Sequence, residues 1–412
     1  MSAPRTVVIV GACIGGVRTA QALRSEGFDG RIVLVGDEPD LPYDRPPLSK
    51  QFLAGTWDAE RIGLLTAEQA ADTHVELRLG IAATHLDVAA REVVLADDGR
   101  IGYDMVVVAT GSSARPSPWR PDSGVHIIRS LTHSRGLRQA LADDGPLIVV
   151  GGGFIGAEIA ATAHAAGRGV TVVDPLPSPM SRVLGEEVGA LLGTVHQRHG
   201  VTTRFGVGVQ DVTGTAGDLQ VTLTDGDQLA AATVVVGIGA TPNVGWLASS
   251  GLLVEDGLVC DEHGRAVDCN DVYGVGDVAR WLHPDHGETV RAEHWTNAVE
   301  QASCVARNIM HPSDLRAYRP THFVWSDQYD WRIQIVGRPH VGASHDIIGD
   351  TESDPPRFAV LYRGGDDNLV GVATVNWPKA QLTSRQQIGN PAADVQRQIE
   401  NLARPTMVVT PP

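Results

Sequence analysis

Residues 147–174 read LIVVGGGFIGAEIAATAHAAGRGVTVVD, and residues 6–38 read TVVIVGACIGGVRTAQALRSEGFDGRIVLVGDE. Each stretch has a short β-branched run, a glycine-rich turn, an alanine-rich helical segment and a second β-branched run that ends in an acidic residue. This order predicts a strand, a helix and a second, parallel strand in both places. Two copies of this βαβ unit predict an α/β fold with two Rossmann-like dinucleotide-binding domains.

The second copy matches the dinucleotide-binding pattern in full, with glycine at positions 151, 153 and 156 and Asp174 about 20 residues further on. The first glycine of this pattern allows a sharp turn, the second lets a pyrophosphate approach the backbone, and the third lets the helix pack on the strand. The helix N-terminus then offers free N–H groups and a positive dipole end to the phosphates. Asp174 stands where a ribose hydroxyl is recognised.

The first copy has Gly11 and Gly16 but carries Cys13 at the second position of the pattern, and Asp37 and Glu38 follow its second strand. Cysteine is small, and with a negative φ its side chain can turn away while its N–H still serves a phosphate. We therefore expect Cys13 to be tolerated. A reactive thiol at a helix N-terminus and a loss of dinucleotide binding are the alternatives. Two dinucleotides in one chain indicate a flavin and a nicotinamide, and hence hydride chemistry.

The composition excludes several classes of function. A chain of 412 residues is long enough for two or three domains. Its net charge of −16 argues against a nucleic-acid partner, because phosphate binding needs an excess of Lys and Arg. No secretory leader or membrane-length apolar run is visible. The four cysteines have no CxxC spacing, which favours a reduced, cytoplasmic protein without a cysteine metal site.

Further motifs identify the group of enzymes that this chain resembles. They are PYDRPPLSK at 42–50, VVVATGSS at 106–113, VVVGIGATPN at 234–243, VYGVGD at 272–277 and WSDQ at 325–328. In this order the set resembles the single-chain, FAD-dependent NADH:ferredoxin reductases of oxygenase systems, from about residue 6 to residue 380. The resemblance implies FAD and NADH as cofactors and an iron–sulfur ferredoxin as electron acceptor. That ferredoxin would supply a haem monooxygenase or a ring-hydroxylating dioxygenase.

The resemblance also implies roles on the FAD side. The first glycine-rich turn would bind the pyrophosphate, Asp37 the adenosine ribose and Asp277 the ribityl chain. Lys50 would lie by the isoalloxazine ring, and Trp295 against its pyrimidine end. The other cofactor-binding residues that it implies there are Gly11, Cys13, Gly15, Gly16, Ala83, Ala109, Thr110, Gly111, Arg129, Gly239 and Gly276.

On the NADH side, the resemblance assigns the second glycine-rich turn to the pyrophosphate, with Gly151, Gly153, Ile155 and Gly156. Glu158 would lie near the nicotinamide and pair with Lys50, and these two are the predicted catalytic residues. Asp174 would repel a 2′-phosphate and accept from a 2′-hydroxyl, which favours NADH over NADPH. Arg182 is close enough in sequence to contact the same end of the cofactor.

Three alternative functions remain open at this point. Rubredoxin reduction is one, and oxygen reduction by an NADH oxidase is another. The oxidases rely on a redox cysteine near residues 40–50, where this chain has none. A flavoprotein that senses NADH without turnover is the third, and the presence of both Lys50 and Glu158 speaks against it. Because the chain lacks a CxxxxC or CxxC thiol relay, we expect electrons to leave the flavin directly.

The two places where the chain passes between the repeats predict three domains. We expect a discontinuous FAD domain at 1–112 and 244–318, an NADH domain at 113–243 and a C-terminal α+β domain at 319–412. Strands RIQIVG, FAVLYRG and LVGVATV are predicted in the last of these. Whether the protein is a monomer or a homodimer is left open.

Two pairs of histidines are possible metal ligands, in HQRH at 196–199 and in HPDH at 283–286. Neither pair has an evident third ligand. We therefore interpret both as residues of a surface helix and a surface loop.

Overall fold

The computed structural model describes residues 4–285, 287–340 and 342–403, which form two compact units. The first contains the described parts of Met1–Leu48, Trp57–Arg115 and Gly239–Pro320. The second contains those of Ser49–Thr56, Pro116–Ile238 and Thr321–Pro412. The short segment Ser49–Thr56 thus belongs to the second unit, although the chain on both sides of it belongs to the first. The division into three domains stays a prediction.

The first unit is built on a parallel sheet. Its described strands lie in the order Val272–Gly274, Met105–Val108, Thr6–Val10, Arg31–Val35 and Val75–Arg78. Val7, Val8 and Ile9 on the central strand are fully buried. Since a parallel sheet is covered on both faces, its strands are near-continuous apolar runs, and this explains the lack of alternation in the sequence.

The remaining elements of the first unit cover this sheet and connect its strands. Its α-helices are Ile14–Ser25, Ala67–Asp72 and Trp295–Met310, and its 3-10 turns include Gly245–Leu247 and Gly276–Val278. Three small sheets complete the described part of this unit. One is antiparallel and contains Ala83–Asp87, Glu92–Leu95 and Arg100–Gly102, and a second pairs Ser112–Ala114 with Ala240–Pro242, also antiparallel. In the third, Ala279–His283 pairs in parallel with Leu258–Cys260 and antiparallel with Glu288–Val290. The 3-10 turn Pro46–Ser49 ends at the point where the chain passes into the second unit.

The second unit repeats the arrangement of the first. Its parallel strands lie in the order Thr202–Phe205, Val170–Asp174, Leu147–Val150, Thr233–Val236 and Val125–His126. In both units the strand that precedes a glycine-rich turn lies in the interior of its sheet, with a parallel neighbour on each side. Ligands of open α/β sheets bind at this position, beyond the carboxyl ends of the strands. The fold therefore places each glycine-rich turn at a predicted cofactor site.

Helices and a small antiparallel sheet complete the nucleotide-binding part of the second unit. The helices are Leu131–Ala142, Phe154–Ala165, Ser181–Leu184 and Glu186–Arg198. The antiparallel strands are Val209–Thr215, Asp218–Leu223 and Gln228–Ala231.

The C-terminal part of the second unit is an antiparallel sheet with helices. Its strands lie in the order Phe323–Gln328, Trp331–Gly337, Leu369–Val375, Arg357–Arg363 and Ser344–Asp350. The helices Pro378–Arg385 and Ala392–Ala403 follow. Trp331, Phe358 and Tyr362 from this sheet form one buried cluster with Leu184 and Leu192, which joins the sheet to the nucleotide-binding part of the same unit.

The predicted fold class is confirmed, with both βαβ units at the expected positions and the three predicted C-terminal strands in the sheet. The strands Phe323–Gln328 and Ser344–Asp350 were not predicted. Among the described residues, no helix is both long enough and apolar enough to cross a membrane.

Candidate functional site

The first glycine-rich turn, residues 11–16, connects the strand Thr6–Val10 to the helix Ile14–Ser25. Gly11 has φ of +122°, and a Cβ there would lie 2.1 Å from the backbone oxygen of Ala109. A Cβ on Gly16 would lie 1.9 Å from the oxygen of Gly11. Backbone conformation and crowding therefore require glycine at position 11, and crowding requires it at position 16. Gly15 is also closely packed, because a Cβ there would lie 3.1 Å from Cγ1 of Val275.

Cys13 occupies the N-cap position of the helix Ile14–Ser25 in an extended conformation, with φ −120° and ψ −161°. Any residue adopts this conformation, so the backbone does not require glycine here, as predicted from the sequence. The Sγ atom accepts a hydrogen bond from Nε of Arg45 at 3.2 Å and lies 3.6 Å from the backbone oxygen of Tyr43. The side chain is thus held by the segment that carries the PYDRPPLSK motif.

The pocket beside this turn, which we call the first cleft, is lined by several of the predicted FAD residues. Its lining includes Gly11, Cys13, Asp37, Ala83, Ala109 and Thr110. Asp37 is exposed and makes no hydrogen bond or ion pair to another described residue. Its carboxylate is therefore available to a ribose hydroxyl.

Glu38 and Arg45 also line the first cleft, and neither was assigned a role from the sequence. NH2 of Arg45 lies 2.8 Å from Oε1 of Glu38, and the Tyr43 hydroxyl donates to Oε2 of Glu38 at 2.5 Å. Burial opposes the charge on Arg45, yet Cys13, Tyr43 and Glu38 together raise the pKa of its guanidinium above the ordinary value. A permanent cation in a cleft beside a helix N-terminus suits a pyrophosphate. The signal that could have identified Arg45 is its place in PYDRPPLSK.

The loop after the strand Met105–Val108 is fixed by Asn243. Oγ1 of Thr110 donates to the backbone oxygen of Asn243 at 2.8 Å, and Nδ2 of Asn243 donates to the backbone oxygen of Thr110 at 2.9 Å. Gly111 follows with φ of +64°, and Gly239 has φ of +101°. These bonds tie the end of a sheet strand to the chain segment at 240–243.

Asp277 and Trp295 lie in the first unit, outside the lining of the first cleft. Oδ2 of Asp277 accepts from the Ser112 hydroxyl at 2.9 Å. Gly276, with φ of +78°, donates its N–H to the Gln301 side chain at 2.7 Å. Trp295 begins the helix Trp295–Met310, and its Nε1 donates to Asp44 at 2.9 Å. The side chains of both predicted residues are thus held by other residues of the first unit.

The second glycine-rich turn, residues 151–156, shows why each of its three glycines is present. Gly151 has φ of +111°, and a Cβ there would lie 2.2 Å from the oxygen of Gly237. A Cβ on Gly156 would lie 1.9 Å from the oxygen of Gly151. A Cβ on Gly153, by contrast, would meet no described atom within 4 Å. Gly153 thus leaves open the space that a pyrophosphate needs, and Ile155 beside it is 45% exposed.

Asp174 ends the strand Val170–Asp174 beside this turn. Its Oδ2 accepts from the Gly152 N–H at 2.6 Å, and its Oδ1 accepts from the Leu176 N–H at 2.8 Å. These two bonds fix the carboxylate at the mouth of the turn and leave lone pairs for a ribose hydroxyl. Arg182 lies in the short helix Ser181–Leu184 with an exposed side chain.

Lys50 and Glu158 form an ion pair inside the second unit, with Nζ 3.0 Å from Oε2. Glu158 lies on the helix that begins at the second glycine-rich turn and is 3% exposed. The Ser49 hydroxyl donates to Oε2 at 2.5 Å, and the Ser326 hydroxyl donates to Oε1 at 2.8 Å. The predicted pairing of Lys50 with Glu158 is therefore present, and the two serines are partners that sequence reasoning missed.

The segment that carries Lys50 is anchored to two helices, Phe154–Ala165 and Leu131–Ala142. Thr162 donates to the backbone oxygen of Ser49 at 2.9 Å. The Arg138 guanidinium lies over the Phe52 ring at 4.5 Å and donates to the backbone oxygen of Phe52. Arg129, a predicted FAD residue, is half-buried just before the helix Leu131–Ala142.

The histidine pairs differ from their predicted surface positions. His196 is 1% exposed, and its Nδ1 lies 2.9 Å from the Tyr329 hydroxyl. Burial, with a smaller effect of His199, lowers the pKa of His196 to about 4. His283 is also buried, while His286 lies outside the described residues. The interpretation as surface residues is therefore wrong for His196 and His283. No metal-binding group of three or more His, Cys, Asp or Glu occurs among the described residues.

Comparison with known proteins places this geometry in a family. Residues 5–302 match the family described as pyridine nucleotide-disulphide oxidoreductase, and residues 323–407 match the family described as reductase C-terminal.

Rhodocoxin reductase of Rhodococcus erythropolis is 37% identical over 92% of this chain and 88% of that protein. The ferredoxin–NAD(+) reductase component of the anthranilate 1,2-dioxygenase system of Burkholderia cepacia is 36% identical over 97% of each chain. The crystal structure of the covalent putidaredoxin reductase–putidaredoxin complex matches with a TM-score of 0.89 at 32% identity, over 98% of this chain and 99% of that one. The chain belongs to the pyridine nucleotide-disulphide oxidoreductase family and, within it, to the FAD- and NAD(H)-dependent ferredoxin reductases of oxygenase systems.

Proposed function

We propose that this protein passes electrons from NADH, through a bound FAD, to an iron–sulfur ferredoxin that supplies an oxygenase. The observation that carries the proposal is the ion pair between Lys50 and Glu158, whose carboxylate lies on the helix that begins at the second glycine-rich turn. A dinucleotide-binding domain needs its turn and its acidic residue. It does not need an ion pair on a carboxylate two residues after the last glycine, and we propose that this pair serves the redox chemistry of the family.

FAD fits the residues of the first unit. Gly11 and Gly16 allow the close turn, Cys13 keeps an extended backbone, and the N-terminus of the helix Ile14–Ser25 offers its N–H groups to the pyrophosphate. We propose that Arg45 neutralises that pyrophosphate and that Asp37 accepts from the adenosine ribose. Bound FAD supplies the capacity to accept a hydride and to release electrons singly.

NADH fits the second glycine-rich turn, where the space beside Gly153 is open. We propose that Asp174 accepts from the 2′-hydroxyl of the adenosine ribose. Its position is fixed by the Gly152 and Leu176 N–H groups, so it cannot easily move away from a 2′-phosphate. Repulsion between two anions then favours NADH over NADPH. Arg182, which is exposed near this end, is the residue through which some NADPH use could persist.

In this proposal Lys50 and Glu158 orient the reacting groups and balance charge. Neither acts as a nucleophile or needs to exchange a proton. Glu158 holds the ammonium of Lys50 in one position, since the Glu158 side chain is 3% exposed and that of Lys50 is 12% exposed. A fixed cation stabilises negative charge that develops close to it. We propose that Lys50 meets the flavin end of FAD and that Glu158 lies toward the nicotinamide.

Two observations support the choice of electron acceptor, which are the absence of a cysteine pair in the sequence and the names of the relatives. The sequence contains no CxxC or CxxxxC pair, so no thiol relay stands between the flavin and the acceptor. Ferredoxin reductases are the named relatives over nearly the whole chain. We propose a ferredoxin with an iron–sulfur centre as the partner, in weak and transient contact. A cytoplasmic location and a monomeric or homodimeric state stay predictions.

An anaerobic titration of the purified protein, loaded with FAD, with NADH tests the proposal. We expect about one equivalent of NADH to bleach the flavin absorbance, because a hydride carries two electrons. NADPH should act far more slowly. Adding a [2Fe–2S] ferredoxin should then give steady NADH-dependent turnover that rubredoxin or oxygen alone does not match. A protein that binds no FAD, or that is not reduced by NADH, would overturn the proposal.

A further inference from the structure

The WSDQ motif at 325–328 lies in the C-terminal sheet. Its residues end the strand Phe323–Gln328, and Ser326 and Gln328 are 0% and 1% exposed. Successive side chains of a strand point to opposite faces. Ser326 and Gln328 therefore share the buried face of the sheet, whereas Asp327 between them is on the other face. Two polar side chains in a buried position need hydrogen-bond partners.

Those partners lead to Glu158. The Ser326 hydroxyl donates to Oε1 of Glu158 at 2.8 Å, and Nε2 of Gln328 lies 3.2 Å from Oγ of Ser326. On the other side of the carboxylate, Ser49 and Lys50 both contact Oε2. Among the described residues, Ser326 supplies the one hydrogen bond to Oε1.

The direction of each hydrogen bond is determined by the chemistry of the groups. An ionised carboxylate only accepts, and a serine hydroxyl has a single proton. Ser326 therefore donates to Glu158, and its oxygen must accept from the Gln328 amide, which donates through Nε2. The chain Gln328–Ser326–Glu158 is polarised in one direction and ends on a carboxylate that is also held by an ammonium.

We propose that Ser326 is a positioning residue for the redox reaction, which it affects through Glu158 and thereby through Lys50. The proposal rests on the proposed function, because that function gives the Lys50–Glu158 pair its role. Ser49 cannot take the place of Ser326. Ser49 is adjacent to Lys50 in sequence, and both contact Oε2 of Glu158. Ser49 therefore moves together with Lys50, whose position has to be fixed.

Removing the Ser326 hydroxyl should loosen the pair. A buried carboxylate oxygen without a donor is unfavourable, and the Ser326 bond is charge-assisted and therefore among the stronger ones. Without it the carboxylate can rotate about its side-chain bonds. Lys50 then loses a fixed partner and becomes more available to solvent.

The sequence offers an unusually direct way to measure this, because Lys50 and Lys379 are its two lysines. In a Lys379→Arg background, Lys50 is the single lysine of the FAD-containing protein. We would measure its acetylation by an N-hydroxysuccinimide ester, using mass spectrometry of the peptide that contains it. Ser326→Ala should raise the rate of acetylation about tenfold, because only unpaired Lys50 reacts and its fraction should rise about tenfold.

A matched control is Ser384→Ala. Ser384 is also fully buried in the second unit, and its hydroxyl donates to the backbone oxygen of Ala380 at 2.7 Å within one helix. It should lower the thermal midpoint less than Ser326→Ala does, because its partner is a neutral carbonyl, and it should leave the acetylation of Lys50 unchanged. Ser326→Thr keeps a hydroxyl and should restore the slow rate. If Ser326→Ala does not fold, Gln328→Leu replaces it, and a rate about threefold higher is expected from the less fixed hydroxyl.

Stopped-flow reduction by NADH supplies a second measurement. Ser326→Ala should lower the limiting rate of flavin reduction about tenfold and leave the Kd for NADH unchanged, since it acts on positioning and not on binding. An acetylation rate equal to that of Ser384→Ala, or slower than in the parent, would overturn the proposal. If the parent protein is not reduced by NADH, the proposed function fails, whereas the acetylation result still decides whether Ser326 holds the pair.

Discussion

The guanidinium Nε of Arg45 lies 3.2 Å from Sγ of Cys13, so the residue that departs from the glycine pattern is held by a residue of the PYDRPPLSK motif. The backbone of Cys13 is extended, and this conformation imposes no need for glycine. What looks in the sequence like a defect in the phosphate turn is, in the structure, a side chain with a defined partner. Because the backbone is extended and Arg45 keeps its ion pair with Glu38, Cys13 and glycine should be nearly interchangeable for cofactor binding.

Cys13→Gly tests this directly. We expect the Kd for FAD to change by less than about threefold, because the backbone N–H of residue 13 is kept. The free energy of unfolding should fall by about 0.5–1 kcal/mol, since glycine gains more freedom in the unfolded chain. Fluorescence titration of the apoprotein with FAD and thermal denaturation are the measurements.

Gly11→Ala is the control for Cys13→Gly. Its Cβ would lie 2.1 Å from the oxygen of Ala109, so FAD binding should be lost or the protein should fail to fold. Equal effects of the two substitutions would mean that the turn does not bind FAD in the manner proposed.

Gly153→Ala and Gly156→Ala should separate cofactor binding from folding in the second turn. A Cβ at 153 meets no described atom, whereas a Cβ at 156 would lie 1.9 Å from the oxygen of Gly151. Gly153→Ala should keep the thermal midpoint and raise the KM for NADH about tenfold, because the methyl group enters the space for the pyrophosphate. Gly156→Ala should lower stability by about 2–3 kcal/mol, or the melting temperature by roughly 5–10 °C. A reversed order of the two effects would contradict the assignment.

The Lys50–Glu158 pair should show strong coupling in a double-mutant cycle. Lys50→Met leaves a buried carboxylate without its cation, and Glu158→Gln leaves a buried ammonium without its anion. Each should cost about 3 kcal/mol of unfolding free energy. The double variant should cost clearly less than the sum of the two, because no lone charge remains. Denaturant unfolding gives these values, and costs that simply add would show that the pair is not coupled.

The glycine-rich turns could be predicted from sequence because the constraint is local. Gly11 and Gly156 clash with a backbone oxygen whenever a Cβ is added, so the same spacing recurs wherever the same turn occurs. The pairing of Lys50 with Glu158 came from resemblance to a family, since no local pattern joins two residues so far apart. Ser326 was missed for the same reason. It lies 168 residues from Glu158 in sequence, and only the packing of the C-terminal sheet brings the two hydrogen-bonding groups together.

His196 shows the opposite error. Its polar neighbours in HQRH favour a surface interpretation, yet the helix Glu186–Arg198 turns this position toward Tyr329. A histidine in a helix is ambiguous from sequence, because its ring can be buried in neutral form or exposed in either form. The position of Tyr329, in a turn far along the chain, decides between them.

Asp174→Asn should weaken the discrimination between NADH and NADPH. Asparagine is isosteric and can still accept from one of the two N–H groups that hold Asp174, but it no longer repels a 2′-phosphate. We expect the ratio of kcat/KM for NADH to that for NADPH to fall about tenfold. Arg182→Ala is the companion variant and should lower kcat/KM for NADPH more than that for NADH. An unchanged ratio in Asp174→Asn would remove Asp174 from the ribose site.

Stability should fall in mild acid because of His196. Burial lowers its pKa to about 4, below the ordinary value of about 6.5. The unfolded chain therefore binds this proton first, and the free energy of unfolding decreases as the pH falls from about 6.5 toward 4. Between pH 7 and pH 5 this group should account for about 2 kcal/mol.

His196→Asn removes that titration and keeps a polar group near the Tyr329 hydroxyl, which Nδ1 of His196 contacts at 2.9 Å in the parent. The variant should be less stable than the parent at pH 7, because the smaller side chain leaves a cavity. It should lose about 2 kcal/mol less than the parent on transfer to pH 5. Urea unfolding of both proteins at the two pH values measures the difference. His74→Asn, at an exposed position, controls for removal of a histidine as such. Equal losses in parent and His196→Asn would show that the acid sensitivity arises elsewhere.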